Sequence, residues 1–185
     1  MTEFLESTRK QFAYYKLLGD KTLERLPFEK LVESPDPKSN SIAIMVNHLR
    51  GNMLSRWTDF LTSDGEKSWR NRDGEFEQSF ENKEELMRAW EEGWKVLFDA
   101  INPLENSQLD TIVYIRNQGH TVVEAINRQL AHYAYHVGQI VYLGRLLSTE
   151  WESLSIPKGA SQAFNQKKFN EEKKKGHFTD DFLGK

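Results

Sequence analysis

The chain has 185 residues, 38% of them hydrophobic and 12% aromatic, which sizes it for a single domain with a core rich in aromatic area. Its 25 Lys and Arg stand against 28 Asp and Glu for a net charge of -3, so no field of one sign covers the surface, and nucleic acid and acidic membranes are set aside as partners. There is no cysteine, which excludes disulfides, thiolate metal ligands and a protein thiol nucleophile and fits a reducing compartment.

The first ten residues lack the basic start and apolar centre of a secretory signal, and no apolar run approaches the roughly 20 residues that span a bilayer. The expectation is a cytoplasmic protein. Phe4, Leu5, Phe12, Tyr15, Leu18 and Leu26 recur at helical spacing and predict an amphipathic helix over 3–26, stopped by Pro27. Ser34-Pro35-Asp36-Pro37-Lys38-Ser39-Asn40 is a turn that offers Ser39 or Asn40 as N-cap to a second helix over 41–61. Its stripe is Ile42, Met45, Val46, Leu49, Met53, Trp57 and Phe60, with His48 at the flank.

From 63 to 80 the pairs Asp64-Gly65 and Asp73-Gly74 mark a long loop of the kind that carries function, with Trp69 and Phe76 expected to pin it to the helices. Asn82 with Glu85 is a capping-box pattern opening a third helix over 82–101, on which Trp90 and Trp94 read as core. Thr111 to Arg116 is strand-like and leads to an Asn117-Gln118-Gly119 turn. Thr121 with Glu124 then caps a fourth helix over 121–148. Residues 151–165, with Pro157 and Gly159, are expected as an extended strap that closes a single domain over 1–165. The charged stretch 166–185 is expected as a solvated tail.

Within the fourth helix lies Gln129-Leu130-Ala131-His132-Tyr133-Ala134-Tyr135-His136-Val137-Gly138-Gln139-Ile140. At about 100° per residue and about 1.5 Å rise, side chains at i and i+4 sit roughly 40° and 6 Å apart, close enough for two imidazoles to share one ion. A first-row divalent ion takes at least three protein ligands, and His48 is the best third candidate. Spacing alone does not bring the three together, and a lone His48 at the edge of a stripe is more often a hydrogen-bonded core residue, while the His132/His136 pair fits either role. His120, at a turn, and His177, in the tail, read as solvent-facing. Tyr133 follows His132, so the His-Glu-x-x-His metalloprotease motif is absent, as are Glu-x-x-His pairs, phosphate loops and nucleophile elbows.

Asn-His-Leu in the second helix and His-Tyr-Ala-Tyr-His-Val-Gly-Gln-Ile in the fourth resemble the two metal-ligand segments of the DinB-like superfamily. Trp151-Glu152-Ser153-Leu154-Ser155-Ile156-Pro157-Lys158-Gly159 resembles an uncharacterised bacterial branch of it. The resemblance covers the chain to about residue 165. It implies an all-α fold, a four-helix bundle of DinB-like type with one long crossover and a C-terminal extended strap, and a metal site of His48, His132 and His136 near one end. Zinc or nickel suits such a nitrogen donor set.

Asn52, Arg128 and Gln129, one turn from a ligand, are the candidate substrate-pocket residues. Superfamily members include bacillithiol-dependent transferases and the mycothiol-dependent maleylpyruvate isomerase, where the metal is thought to activate the thiol. The resemblance therefore implies a small-molecule thiol and an electrophile as partners. A non-catalytic metal-binding or stress-response module and a metal-dependent hydrolase remain open beside the S-transferase. A homodimer is also expected from the long aromatic-rich faces.

Overall fold

The computed structural model describes residues 2–183. It is mostly helical, with a single two-stranded sheet among the described residues. Helix α1 spans Thr2–Arg25 and the short α2 Phe28–Val32; α3 spans Ile42–Trp57, α4 Lys83–Ile101 and α5 Val122–Leu147. Two short helices follow, α6 (Ser161–Phe169) and α7 (Asp180–Leu183). Strands β1 (Ile112–Ile115) and β2 (Gln118–Thr121) form an antiparallel hairpin before α5. Among the described residues no helix is long and apolar enough to cross a membrane.

The caps explain where the long helices begin. Asn82 accepts the Glu85 N–H, while the Glu85 carboxylate reaches back to the Glu81 N–H rather than to that of Asn82. Thr121 and Glu124 make the reciprocal capping box expected of them. For α3 the cap is Ser41, whose hydroxyl accepts from Ile44, not Ser39 or Asn40. Ser39 is occupied by the Asp36 carboxylate in the preceding turn. The same helix stops at Trp57, short of the expected 61, because Asp59 takes a left-handed backbone with φ 49° and its carbonyl accepts from Thr62 and Ser63.

Extensive packing of α3 on α4 and of α1 on α5 buries one apolar cluster built around Phe12, Trp90, Trp94 and Tyr133. Phe12 meets Trp57 edge-on at 6.2 Å, and Trp94 meets Tyr133 edge-on at 6.0 Å between ring centres. The polar edges of three of these rings are matched, while the buried Trp94 Nε1 has no hydrogen-bond partner. Trp57 Nε1 donates to Tyr133 Oη at 2.9 Å, and that hydroxyl donates to Asn52 Oδ1 at 3.0 Å. Trp90 Nε1 donates to Asp20 at 2.6 Å. Gly19 lets Trp90 in, since a Cβ there would fall 2.3 Å from the indole.

Three segments depart from expectation. The hairpin turn is Arg116-Asn117, with φ of 55° and 61°, a two-residue connection with both residues left-handed. Gln118 and Gly119 belong to β2. Asp64 explains the register, because its carboxylate accepts from the Arg116 and Asn117 N–H groups at 2.8 Å each. The segment expected as an extended strap is irregular only to Ala160. Beyond Gly159 (φ 87°) no residue breaks a helix, and α6 forms. Finally, the polar tail folds back over α1. His177 bonds Ser7 at 2.9 Å, Lys10 pairs with Asp180 at 2.8 Å, and Phe178 and Phe182 flank Tyr14. His177 is thus half-buried rather than solvent-facing.

Removing the Tyr133 hydroxyl strands two buried groups, Trp57 Nε1 and Asn52 Oδ1. Tyr133→Phe should therefore cost about 1–3 kcal/mol, seen as a lower urea midpoint at unchanged slope.

Candidate metal centre

His48 comes from the middle of α3, and His132 and His136 from consecutive turns of α5. Their side chains meet: one ring nitrogen from each lies within 4.8 Å of the other two. His48 Nε2 and His132 Nε2 are 3.4 Å apart. Two nitrogens each about 2.0–2.1 Å from a tetrahedral zinc would be separated by roughly 3.3 Å, so this spacing is that of a ligand pair.

The second partners of the rings settle which nitrogen is available. His48 Nδ1 lies 2.9 Å from Glu75 Oε2. An ionised carboxylate only accepts, so Nδ1 carries the proton and Nε2 presents its lone pair to the centre. His136 Nδ1 donates to Gln139 Oε1 at 2.8 Å, which frees its Nε2 in the same way, and Gln139 in turn donates to Tyr135 Oη at 3.0 Å. Burial first, then the neighbouring His136 and His48, depress the His132 pKa to about 3. Burial first, then His48, depress that of His136 to about 4. Both rings are therefore neutral near pH 7, as metal ligands must be. Three imidazoles with their proximal nitrogens aimed together, two of them oriented from behind, fit a divalent ion.

Glu75 is held as an anion deep in the protein. Burial alone raises its pKa, but hydrogen bonds from His48 and Arg70, with the charge of Arg70, outweigh that and keep it below the usual carboxylate range. Arg70 grips it with both arms, Nε to Oε1 at 2.7 Å and Nη2 to Oε2 at 2.9 Å. Only 2% of the Arg70 side chain and 7% of the Glu75 side chain are exposed. Arg70 also reaches Glu66, which pairs with Arg56 at 3.0 Å. The carboxylate can approach α3 because residue 51 is glycine: a Cβ there would lie 2.3 Å from Glu75 Oε1. Phe76 completes the clamp by stacking on His48, centroid to centroid 4.9 Å. The 63–80 loop is thus tied down by Arg70, Glu75 and Phe76. Trp69, expected as an anchor, is 58% exposed.

The histidines open on a cleft of about 460 Å³ that Asn52, Arg128 and Gln129 also line. Asn52 and Gln129 are buried in its wall and Arg128 is exposed. His120 is 3.5 Å from Arg128 rather than at the centre. A larger groove of about 1020 Å³ lies against residues 151–158, and none of the three histidines lines it. Sequence reasoning missed Glu75, Arg70 and Gln139. Gln139 stands three residues from His136, a readable helical spacing. Glu75 had only its place in a long loop to mark it.

A family model described as "Protein of unknown function (DUF1572)" matches residues 1–160, and the chain belongs to that family. No curated protein matches it.

Two outcomes are expected. Metal analysis of His48→Ala and His132→Ala should show lost stoichiometry, and Glu75→Gln should retain metal with about 10–100-fold lower affinity. In the metal-free protein, an unfolded histidine binds its proton below about 6.5, whereas folded His132 and His136 resist protonation to about 3 and about 4. Between these limits the unfolded chain holds more protons, so stability is lost as pH falls below about 6.5. Urea melts of chelator-treated protein at several pH values, with and without the two histidines, measure that loss.

Proposed function

We propose that this member of the DUF1572 family is a divalent-metal-dependent transferase that joins a low-molecular-weight thiol to a small electrophile, built on a DinB-like four-helix bundle. One observation carries the reading: three imidazoles converge from α3 and α5 on the wall of a solvent-reachable cleft. Structural zinc sites close with four protein ligands, whereas three ligands leave a position for a reactant. The packing of α1, α3, α4 and α5, with a long loop between α3 and α4, supports the bundle assignment.

A bound zinc or nickel ion would supply the positive charge that lowers the pKa of a thiol or water presented at its vacant side. The protein's own groups do the rest. His48 and His136 keep their proximal nitrogens aimed inward because Glu75 and Gln139 hold their distal N–H groups. Glu75 itself is engaged by Arg70 and His48 and serves orientation rather than proton transfer. The overall change is addition of R–SH: a sulfur–carbon bond forms, and the thiol proton goes to the atom of the electrophile that receives the displaced electron pair. Absence of cysteine from the chain leaves no protein thiolate to compete for the ion. Asn52, Arg128 and Gln129 are proposed to contact the substrate.

The test is a titration of cobalt-substituted protein with several cellular thiols, followed by a screen of electrophiles. Sulfur-to-cobalt charge-transfer absorption that is lost in His136→Ala, with turnover lost in parallel, is the expected result. A centre indifferent to every thiol and inert in the screen would point to a non-catalytic metal-binding module. Ester hydrolysis without thiol would make it a hydrolase.

A further inference from the structure

The cleft at the histidines carries a charge opposite to that of the chain. The protein has a net charge of -3, yet five arginines line this one cleft and no Asp or Glu does. Two of the five are occupied within the protein: Arg70 by Glu75 and Glu66, and Arg56 by Glu66 and the Gly65 carbonyl. The other three, Arg72, Arg116 and Arg128, are exposed side chains brought together from separate parts of the chain. Arg72 comes from the long loop and has its guanidinium 5.4 Å from the Phe76 ring centre. Arg116 comes from the hairpin turn and reaches only the edge of the Glu66 cluster at 3.3 Å. Arg128 comes from the second turn of α5, where His120 is its neighbour at 3.5 Å. Among the described residues Arg72 and Arg128 have no carboxylate within ion-pair distance.

A second observation is independent of charge. Two buried polar atoms on cleft-lining residues lack hydrogen-bond partners: Arg56 Nε, a donor, and Gln129 Oε1, an acceptor. Arg56 is 6% exposed and Gln129 3%. Buried polar groups without partners are rare and costly, and a ligand is one way to satisfy them.

We infer that the cleft is an oxyanion-binding site: Arg72, Arg116 and Arg128 receive a carboxylate or phosphate group of a small ligand, whose neutral polar part lies against Arg56 and Gln129. Guanidinium forks match both oxyanions by paired N–H donation. The volume of about 460 Å³ is within the range of small-molecule sites. This inference rests on the proposed function for the identity of the site, and it adds that the thiol or the electrophile is anionic.

The probes are succinate and inorganic phosphate, titrated calorimetrically at low ionic strength into chelator-treated protein and then into zinc-loaded protein. Arg116→Asn, chosen because asparagine tolerates the left-handed backbone of that turn, and Arg128→Gln should each weaken binding about three- to tenfold while leaving the melting temperature and metal stoichiometry unchanged. Tighter succinate assigns a carboxylate ligand and tighter phosphate a phosphorylated one. Failure of both probes to bind, or affinity retained in the double variant, overturns the inference. Arginine-dependent binding to the metal-free protein upholds it even if the histidines hold no ion. Metal binding with no anion binding leaves the proposed metal centre standing and removes the oxyanion site.

Discussion

The structure at the cleft depends on one buried carboxylate. Glu75 sits where an isolated charge would be expelled, and it is kept there by the two-armed grip of Arg70 and the N–H of His48. Removal of Arg70 would leave the Glu75 charge with only the His48 N–H in the interior, a far larger penalty than the pair's net contribution to stability. The same contacts explain why an 18-residue stretch rich in glycine and charge, 63–80, is folded: its middle is fastened to α3 at Glu75 and stacked at Phe76. Gly51 is the complementary concession on the helix, since any side chain there would occupy the carboxylate's place.

Behind the histidines the core changes gradually from apolar to polar. Trp94 packs on Tyr133, Tyr133 bonds Trp57 and Asn52, and Asn52 lines the cleft. Burial pushes the Tyr133 pKa up, so its hydroxyl stays neutral and can donate to Asn52. Tyr133 is adjacent to His132 on α5 and is fully buried, so the backbone that carries His132 is fixed by one of the best-packed rings in the protein. Preorganisation of this kind keeps the imidazoles in place before any ion arrives.

What could be read from the chain follows the range of the interactions involved. Asn82, Thr121 and the stripes of the four long helices act within a turn or two, and their patterns were legible. The His132/His136 pair was legible for the same reason. His48 entered as a candidate by residue type, and its convergence with the pair rests on packing between helices 84 residues apart in sequence. Glu75 and Arg70 could not be recovered from local pattern, because their meaning comes from contacts across 27 residues and from a glycine on another element. The Arg116-Asn117 turn was misplaced by one residue because Asn-Gln-Gly is a turn signal by composition. The register is set instead by Asp64, remote in sequence. The tail read as solvated because its charges dominate, while Phe178 and Phe182 needed Tyr14 to give them somewhere to pack.

The 63–80 loop and the helices divide the centre between them. Helices α3 and α5 supply the three nitrogen donors, while the loop supplies the orienting carboxylate, the ring stacked on His48 and Arg72. Arg70 and Phe76 both tether the loop and line the cleft, and the exposed Arg72 stands between them. Replacement of the exposed Arg72 side chain can alter what enters while leaving the Arg70–Glu75 pair and the helices that carry the histidines in place. A fold partitioned in this way can diversify among ligands by exchanging one surface segment, so relatives with the same histidines need not share a substrate.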